Sequence, residues 1–100
     1  MTADERLREE ETTQLTTTVR VTVRYFGAAR AAAATDAEVL TVESGCSIGD
    51  LADRLGNRNP ALSKVLTRCS YLCDGVAVRD SAAAVQTGQT IDVLPPFAGG

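Results

Sequence analysis

The sequence predicts an α+β domain in which one main helix lies across one face of a mixed sheet. Three observations carry that prediction. VRVTVRYF (19–26) alternates apolar and polar residues, the period of a half-buried strand. SIGDLADRL (47–55) places Ile48, Leu51, Ala52 and Leu55 on one apolar helix face. CSYLC, Asp74-Gly75 and VAV read as a β-hairpin, and TIDVL (90–94) as a closing strand.

Taken in order, the first strand buries Val19, Val21, Val23 and Tyr25 and turns Arg20, Thr22 and Arg24 outward; Gly27 ends it. AARAAAATDA is a small-residue connection with at most a short helical turn, and EVLTV (38–42) is a second strand, antiparallel to the first. Ser47, with Asp50 three residues on, opens the main helix as a capping-box-like start. Gly56 is placed to stop it in a left-handed conformation. Pro60 after Asn59 starts a shorter helix whose Leu62, Val65 and Leu66 face inward. After the hairpin, Gly88 marks a turn, the last strand buries Ile91 and Val93, and Pro95-Pro96 ends the sheet, since proline donates no ladder hydrogen bond. The expected order is ββααβββ.

Composition narrows the function. The chain has 100 residues, 44% hydrophobic and 23% charged, which suits one globular domain. Residues 1–11 carry five acids and two arginines, the whole formal charge of −3, while residues 12–100 hold eight of each sign. A nucleic-acid or anionic-membrane binder would show a basic stripe, and none is visible. No apolar run approaches the ~20 residues of a membrane span. The start is acidic rather than basic and then apolar, so no signal peptide is expected and the expected location is the cytoplasm. Three regions follow: a disordered acidic extension over 1–17, a domain over 18–94 and a flexible tail over 95–100. There is no histidine, which removes His-based triads and most metal sites. Cys46, Cys69 and Cys73 are an odd number, so no disulfide framework is expected. On a strand Cys69 and Cys73 lie about 13 Å apart, too far for a disulfide or a shared metal, and read as packing residues. Cys46 precedes a helix N-terminus, where a thiolate would be favoured.

VTVRYFGAAR, the CDGVAV hairpin and GQTIDVLPPFAGG together resemble the β-grasp (ubiquitin-like) sulfur carriers, and among them the small subunits of molybdopterin synthase. The resemblance covers Val19 to Gly100. It departs from the family after Arg30, where members often carry Glu and later Gly and this chain has AAAATDAE. It implies a β-grasp fold with adjacent, parallel first and last strands. It also implies that the working group is the carboxylate of Gly100, adenylated by an ATP-using, ubiquitin-activating-like adenylyltransferase and then converted to a thiocarboxylate. A sulfurtransferase or cysteine desulfurase would supply the sulfur, and the large subunit would receive it for a pterin precursor. No bound cofactor or metal is implied. The other acceptors are thiazole, cysteine or transfer-RNA thiolation; the other functions are lysine modification through Gly100 and a plain interaction domain with an inert terminus.

The tail suits that chemistry. Six residues beyond Leu94 reach about 20 Å if extended. Pro95 and Pro96 stiffen the exit, Phe97 is a candidate anchor beside Ala98, and Gly99 and Gly100 carry no Cβ to obstruct a narrow channel. Phe26 and Leu94 fall on the outward face of adjacent strands, and Leu72 on the face opposite Cys69, Tyr71 and Cys73 can join them. Such an apolar cluster on a polar sheet face marks a partner surface. No general base is placed near the tail, so the chain is expected not to be a catalyst on its own.

Overall fold

The alternation in VRVTVRY becomes strand β1 (Thr18–Tyr25), whose Val19, Val21, Val23 and Tyr25 are all buried. The computed structural model describes residues 17–96; the expected acidic extension, but for Thr17, and the end of the tail lie outside them. Around β1 the chain runs α1 (Gly27–Ala33), β2 (Ala37–Glu43), α2 (Ile48–Arg58), α3 (Pro60–Leu66), β3 (Ser70–Cys73), β4 (Val76–Ala77) and β5 (Thr90–Leu94). The five strands stand in the order β2-β1-β5-β3-β4. β1 and β5 are parallel, with Val23 beside Ile91 and Tyr25 beside Val93, and the other pairings are antiparallel. The expected adjacency of first and last strands is therefore present.

The helices cover one face. Ile48, Leu51 and Leu55 of α2 and Leu62 and Leu66 of α3 close over the valines of β1, Val42, Ile91 and Val93. Ser47 starts α2 with a reciprocal capping box: its hydroxyl accepts from the Asp50 N–H at 3.0 Å, and the Asp50 carboxylate accepts from the Ser47 N–H at 3.2 Å. Asn59 joins two helices, because its side-chain oxygen accepts from the Leu62 N–H at 3.2 Å while its amide donates to the Ala32 carbonyl at 3.0 Å. At the hairpin Asp74 and Gly75 both take positive φ (50° and 83°), the conformation that makes Asp-Gly a hairpin turn.

Two expectations are corrected, and one feature lies outside them. The segment after Gly27 forms a seven-residue helix, so the order is βαβααβββ. Alanine has the highest helix propensity, and Ala29 is fully buried beneath this helix, so a segment of small residues suits close packing. Secondly, Gly56 does not stop α2, which continues to Arg58. A Cβ at Gly56 would lie 3.1 Å from the Ser63 Oγ and 3.2 Å from its Cβ, so this glycine serves the close approach of α3. Thirdly, the loop 78–89 contributes Val85 to the core, and its backbone caps α2: the Ile48 and Gly49 N–H groups donate to the Ala83 and Ser81 carbonyls at 3.1 and 2.9 Å. No apolar period announces Val85, because one buried residue in a loop has none.

The departure from the family after Arg30 has a visible consequence. Ala34 terminates α1 in the left-handed region (φ 61°), where its N–H donates to the Arg30 carbonyl at 2.9 Å. Left-handed backbone disfavours any residue with a Cβ, and glycine fills this position without that strain. Ala34→Gly is expected to stabilise the fold by about 0.5–1 kcal/mol, a rise of a few degrees in Tm. Thermal unfolding checks it, and a lowered Tm would contradict this account of the cap.

Candidate functional site

Because β1 and β5 run parallel, they finish at the same end of the sheet, and the tail leaves from there. Phe26 continues β1 by one extended residue (φ −129°, ψ 153°), and its N–H donates to the Val93 carbonyl at 3.3 Å. Gly27 then reverses the chain with φ 52°. A Cβ at Gly27 would meet the Pro95 ring at 3.6 Å, ordinary contact, so the positive φ rather than lack of space is what calls for glycine. Pro95 thus lies close to the start of α1.

The sheet face away from the helices carries the predicted cluster. Across β1, β5 and β3, one row is Arg24, Asp92 and Leu72; the next holds Ser70 and Leu94, with Phe26 beyond. Phe26 is 39% exposed, and Leu72 and Leu94 are half-buried. The structure therefore places Phe26 and Leu94 side by side at the tail's root, with Leu72 one row back. Between them lies a feature that alternation alone did not reveal. Asp92 is only 6% exposed although it is on this outer face. Arg24 covers it, donating from Nε and Nη2 to the two carboxylate oxygens at 2.6 and 2.8 Å. These hydrogen bonds and the Asp92 charge push the guanidinium above its ordinary pKa. The guanidinium also stands 5.5 Å from the centre of the Phe26 ring. Opposite charges at outward positions of neighbouring strands were the available signal for this pair.

On the helix side, Pro95 and Pro96 line an open groove of about 670 Å³, with Ala28, Val65, Lys64 and Arg68 among its other residues. Phe97, Ala98, Gly99 and Gly100 lie outside the described residues. Among the described residues no group of side chains is arranged to hold a metal ion, and no helix is long and apolar enough to cross a membrane.

Residues 23–100 match the family model described as the ThiS family. No curated protein matches the chain significantly. Among solved structures, a putative molybdopterin converting factor subunit 1 from Pyrococcus furiosus superposes with a TM-score of 0.72 at 22% identity, covering 79% of this chain and 99% of that one. Small archaeal modifier protein 1 from Methanosarcina acetivorans gives 0.69 at 24% identity, over 84% and 99%. The chain is also similar to one from a complex of subunits 1 and 2 of the molybdopterin-converting factor of Helicobacter pylori, with 0.63 at 20% identity, over 82% and 100%. A ubiquitin-like domain of mouse tubulin-specific chaperone e shares the fold at 6% identity with a TM-score of 0.55, so the architecture is the ubiquitin-like β-grasp.

The cysteines do not form a reactive site. All three are free and half-buried. Cys69 precedes β3 and its thiol donates to the Val65 carbonyl at 3.2 Å. A thiolate at Cys46 is disfavoured: burial first, then the Asp50 carboxylate, push this thiol up. The N–H groups at the start of α2, which would have favoured it, are already taken by Ala83, Ser81 and Ser47. Burial also raises Cys69 and Cys73. Since only the thiolate is nucleophilic, iodoacetamide at pH 7.5 should alkylate all three several-fold more slowly in the folded chain than in the same chain unfolded in urea. Peptide mass spectrometry resolves the three rates. Faster labelling of Cys46 in the folded protein would restore it as a reactive thiol.

Proposed function

The chain belongs to the ThiS family of ubiquitin-like sulfur carriers, and from that premise we propose that it is the small subunit of molybdopterin synthase, carrying sulfur as a thiocarboxylate on Gly100. The observation that carries this reading is the geometry at the tail's root. Parallel β1 and β5 bring Phe26 and Leu94 together beside Pro95, so a partner that covers this apolar patch is positioned to receive the tail. The likeness to a subunit that forms a complex with a second, subunit 2, supports the same partner type for this chain. Pro95 and Pro96 limit the conformations lost when the tail docks, and the final glycines present a carboxylate without side-chain bulk.

In this reading a Gly100 carboxylate oxygen attacks the α-phosphorus of ATP on an adenylyltransferase, releasing pyrophosphate. The persulfide of a sulfurtransferase or cysteine desulfurase displaces AMP at the carbonyl carbon to give an acyl disulfide, and a second thiol of that partner cleaves its S–S bond, releasing the thiocarboxylate and leaving a disulfide on the partner. In the large subunit the sulfur passes to a pterin precursor, and water restores the carboxylate. The chain's own residues bind, orient and deliver; the partners supply acid–base chemistry. The likeness to small archaeal modifier protein 1 favours a second reading, a modifier joined to lysines through Gly100, which isopeptide conjugates in cell extract would reveal. Pull-down of the partner separates the pterin pathway from thiazole, cysteine or transfer-RNA thiolation.

Intact mass of protein isolated from its own cells tests the carrier reading: a gain equal to replacing one oxygen by sulfur, confined to the C-terminal peptide, is expected. Deleting Gly100, or adding one residue after it, should abolish sulfur transfer and leave Tm unchanged. Each moves the reacting carbon by up to about 3.5 Å, which near-attack geometry does not tolerate. A tagged chain that still forms thiocarboxylate and product, with the tag intact by mass, would defeat the reading. Phe26→Glu should keep cooperative unfolding while weakening large-subunit binding at least about tenfold, because the aromatic anchor is lost and a carboxylate takes its place in the covered patch. Unchanged affinity measured by calorimetry would remove Phe26 from the interface.

A further inference from the structure

Arg24 has hydrogen-bonding capacity that the described residues do not use. A guanidinium carries five N–H donors. Two are committed to Asp92, and the other three have no partner among the described residues. The side chain is nevertheless fixed. Asp92 grips one edge of the fork, and the guanidinium carbon stands 5.5 Å from the centre of the Phe26 ring. Its exposure of 51% lies within the patch bounded by Phe26, Leu94 and Leu72. Any partner that covers Phe26 must cover these donors as well, and a donor taken from water without an acceptor costs the desolvation of a charged group.

The identity of the acceptor follows from Asp92. A partner carboxylate bonded to the free edge of Arg24 would stand within the ~4–6 Å over which like charges disfavour one another, since Asp92 holds the adjacent edge. The Arg24 charge is already matched. A neutral oxygen meets the same donors without that repulsion.

We propose that Arg24, locked by Asp92, is a specificity-determining contact of this face, and that its free N–H groups donate to a carbonyl oxygen, main-chain or amide, of the large subunit. A competing β-grasp partner that offers only apolar surface there strands the donors, and one that offers a carboxylate meets Asp92. The inference rests on the proposed large subunit as partner and adds the chemistry by which that subunit is recognised.

The test is calorimetric titration of the full-length chain with the purified large subunit from the same cells, at about 0.05 and 0.5 M salt, which brackets strong and weak screening. Arg24→Lys keeps the charge and removes the planar fork, and should weaken binding at least about tenfold at both salt concentrations. Asp92→Asn loosens the grip on Arg24 and should cost a smaller factor. Arg24→Gln with Asp92→Asn keeps an uncharged hydrogen-bonding pair, should fold, and should show the full loss if Arg24→Lys is too unstable to measure. Native-like affinity of a folded Arg24→Lys chain, or of the double variant, overturns the proposal. A loss that shrinks several-fold as salt rises shows a carboxylate acceptor and also overturns it. If the unaltered chain binds no large subunit, the molybdopterin-synthase assignment fails and takes this inference with it. Tight binding that the substitutions leave unchanged removes the inference alone.

Discussion

Everything at the candidate site depends on the parallel pairing of β1 with β5. Val23 against Ile91 and Tyr25 against Val93 put the two most buried strands side by side in one direction, so both end together. A parallel pair cannot be closed by a tight turn, and the chain must leave the sheet and return. Residues 27–89 make that excursion, and α2 and α3 are the part of it that covers the inner face. The connection therefore builds the core, and the core holds in register the strand whose end becomes the tail. An antiparallel arrangement of these two strands would send Leu94 to the opposite end from Phe26 and separate the patch from the tail's root.

The two faces of that central pair are stabilised differently. Inside, burial of apolar side chains dominates, with one hydroxyl accommodated at the rim: Tyr25 donates to a Glu38 carboxylate oxygen at 2.5 Å, and Arg58 reaches the same oxygen at 2.6 Å. Outside, the middle of the sheet would be wet but for Arg24 lying over Asp92. Asp92 is buried beneath the half-exposed Arg24, so the pair chiefly offsets the cost of burying that carboxylate, and it holds the guanidinium in one orientation at the centre of the candidate interface. The fork that grips Asp92 also stands beside the Phe26 ring, so the polar pair and the apolar anchor form one fixed surface.

Much of this was legible in the sequence where periodicity operates. The period-2 runs gave β1 and β5 with the correct faces, and the stripe at Ile48, Leu51 and Leu55 gave α2. What escaped was set by contacts between distant segments. Gly56 has the residue type of a helix stop, but Ser63, seven residues on, decides its role, because a Cβ there would crowd the Ser63 side chain at 3.1–3.2 Å. Val85 is buried because the loop 78–89 folds across the start of α2, bonding to Ile48 and Gly49, and no local pattern encodes that. Asp92 sits at a position the alternation marks as solvated, and only strand order shows that Arg24 is its neighbour. The apolar part of the site could be read before the structure; its charged centre needed the pairing of β1 with β5.

That pairing also explains why a rigid fold suits a mobile chemical task. In the proposed function, sulfur delivery asks a short segment to visit several partners and to present the same carbon to each. The entropy lost on each docking rises with every residue that must be ordered. Here ordering is already complete up to Leu94, where the β5 ladder ends, and Pro95 is set against Gly27. A partner that binds the Phe26–Arg24–Leu94 surface inherits a fixed origin for the tail, and has only the few residues beyond Pro96 to guide. Moving the patch elsewhere on the domain would leave the same tail chemically intact but would lengthen the path between what is recognised and what reacts. The cost of docking would then rise at every encounter, because more of the chain would have to be ordered between the two.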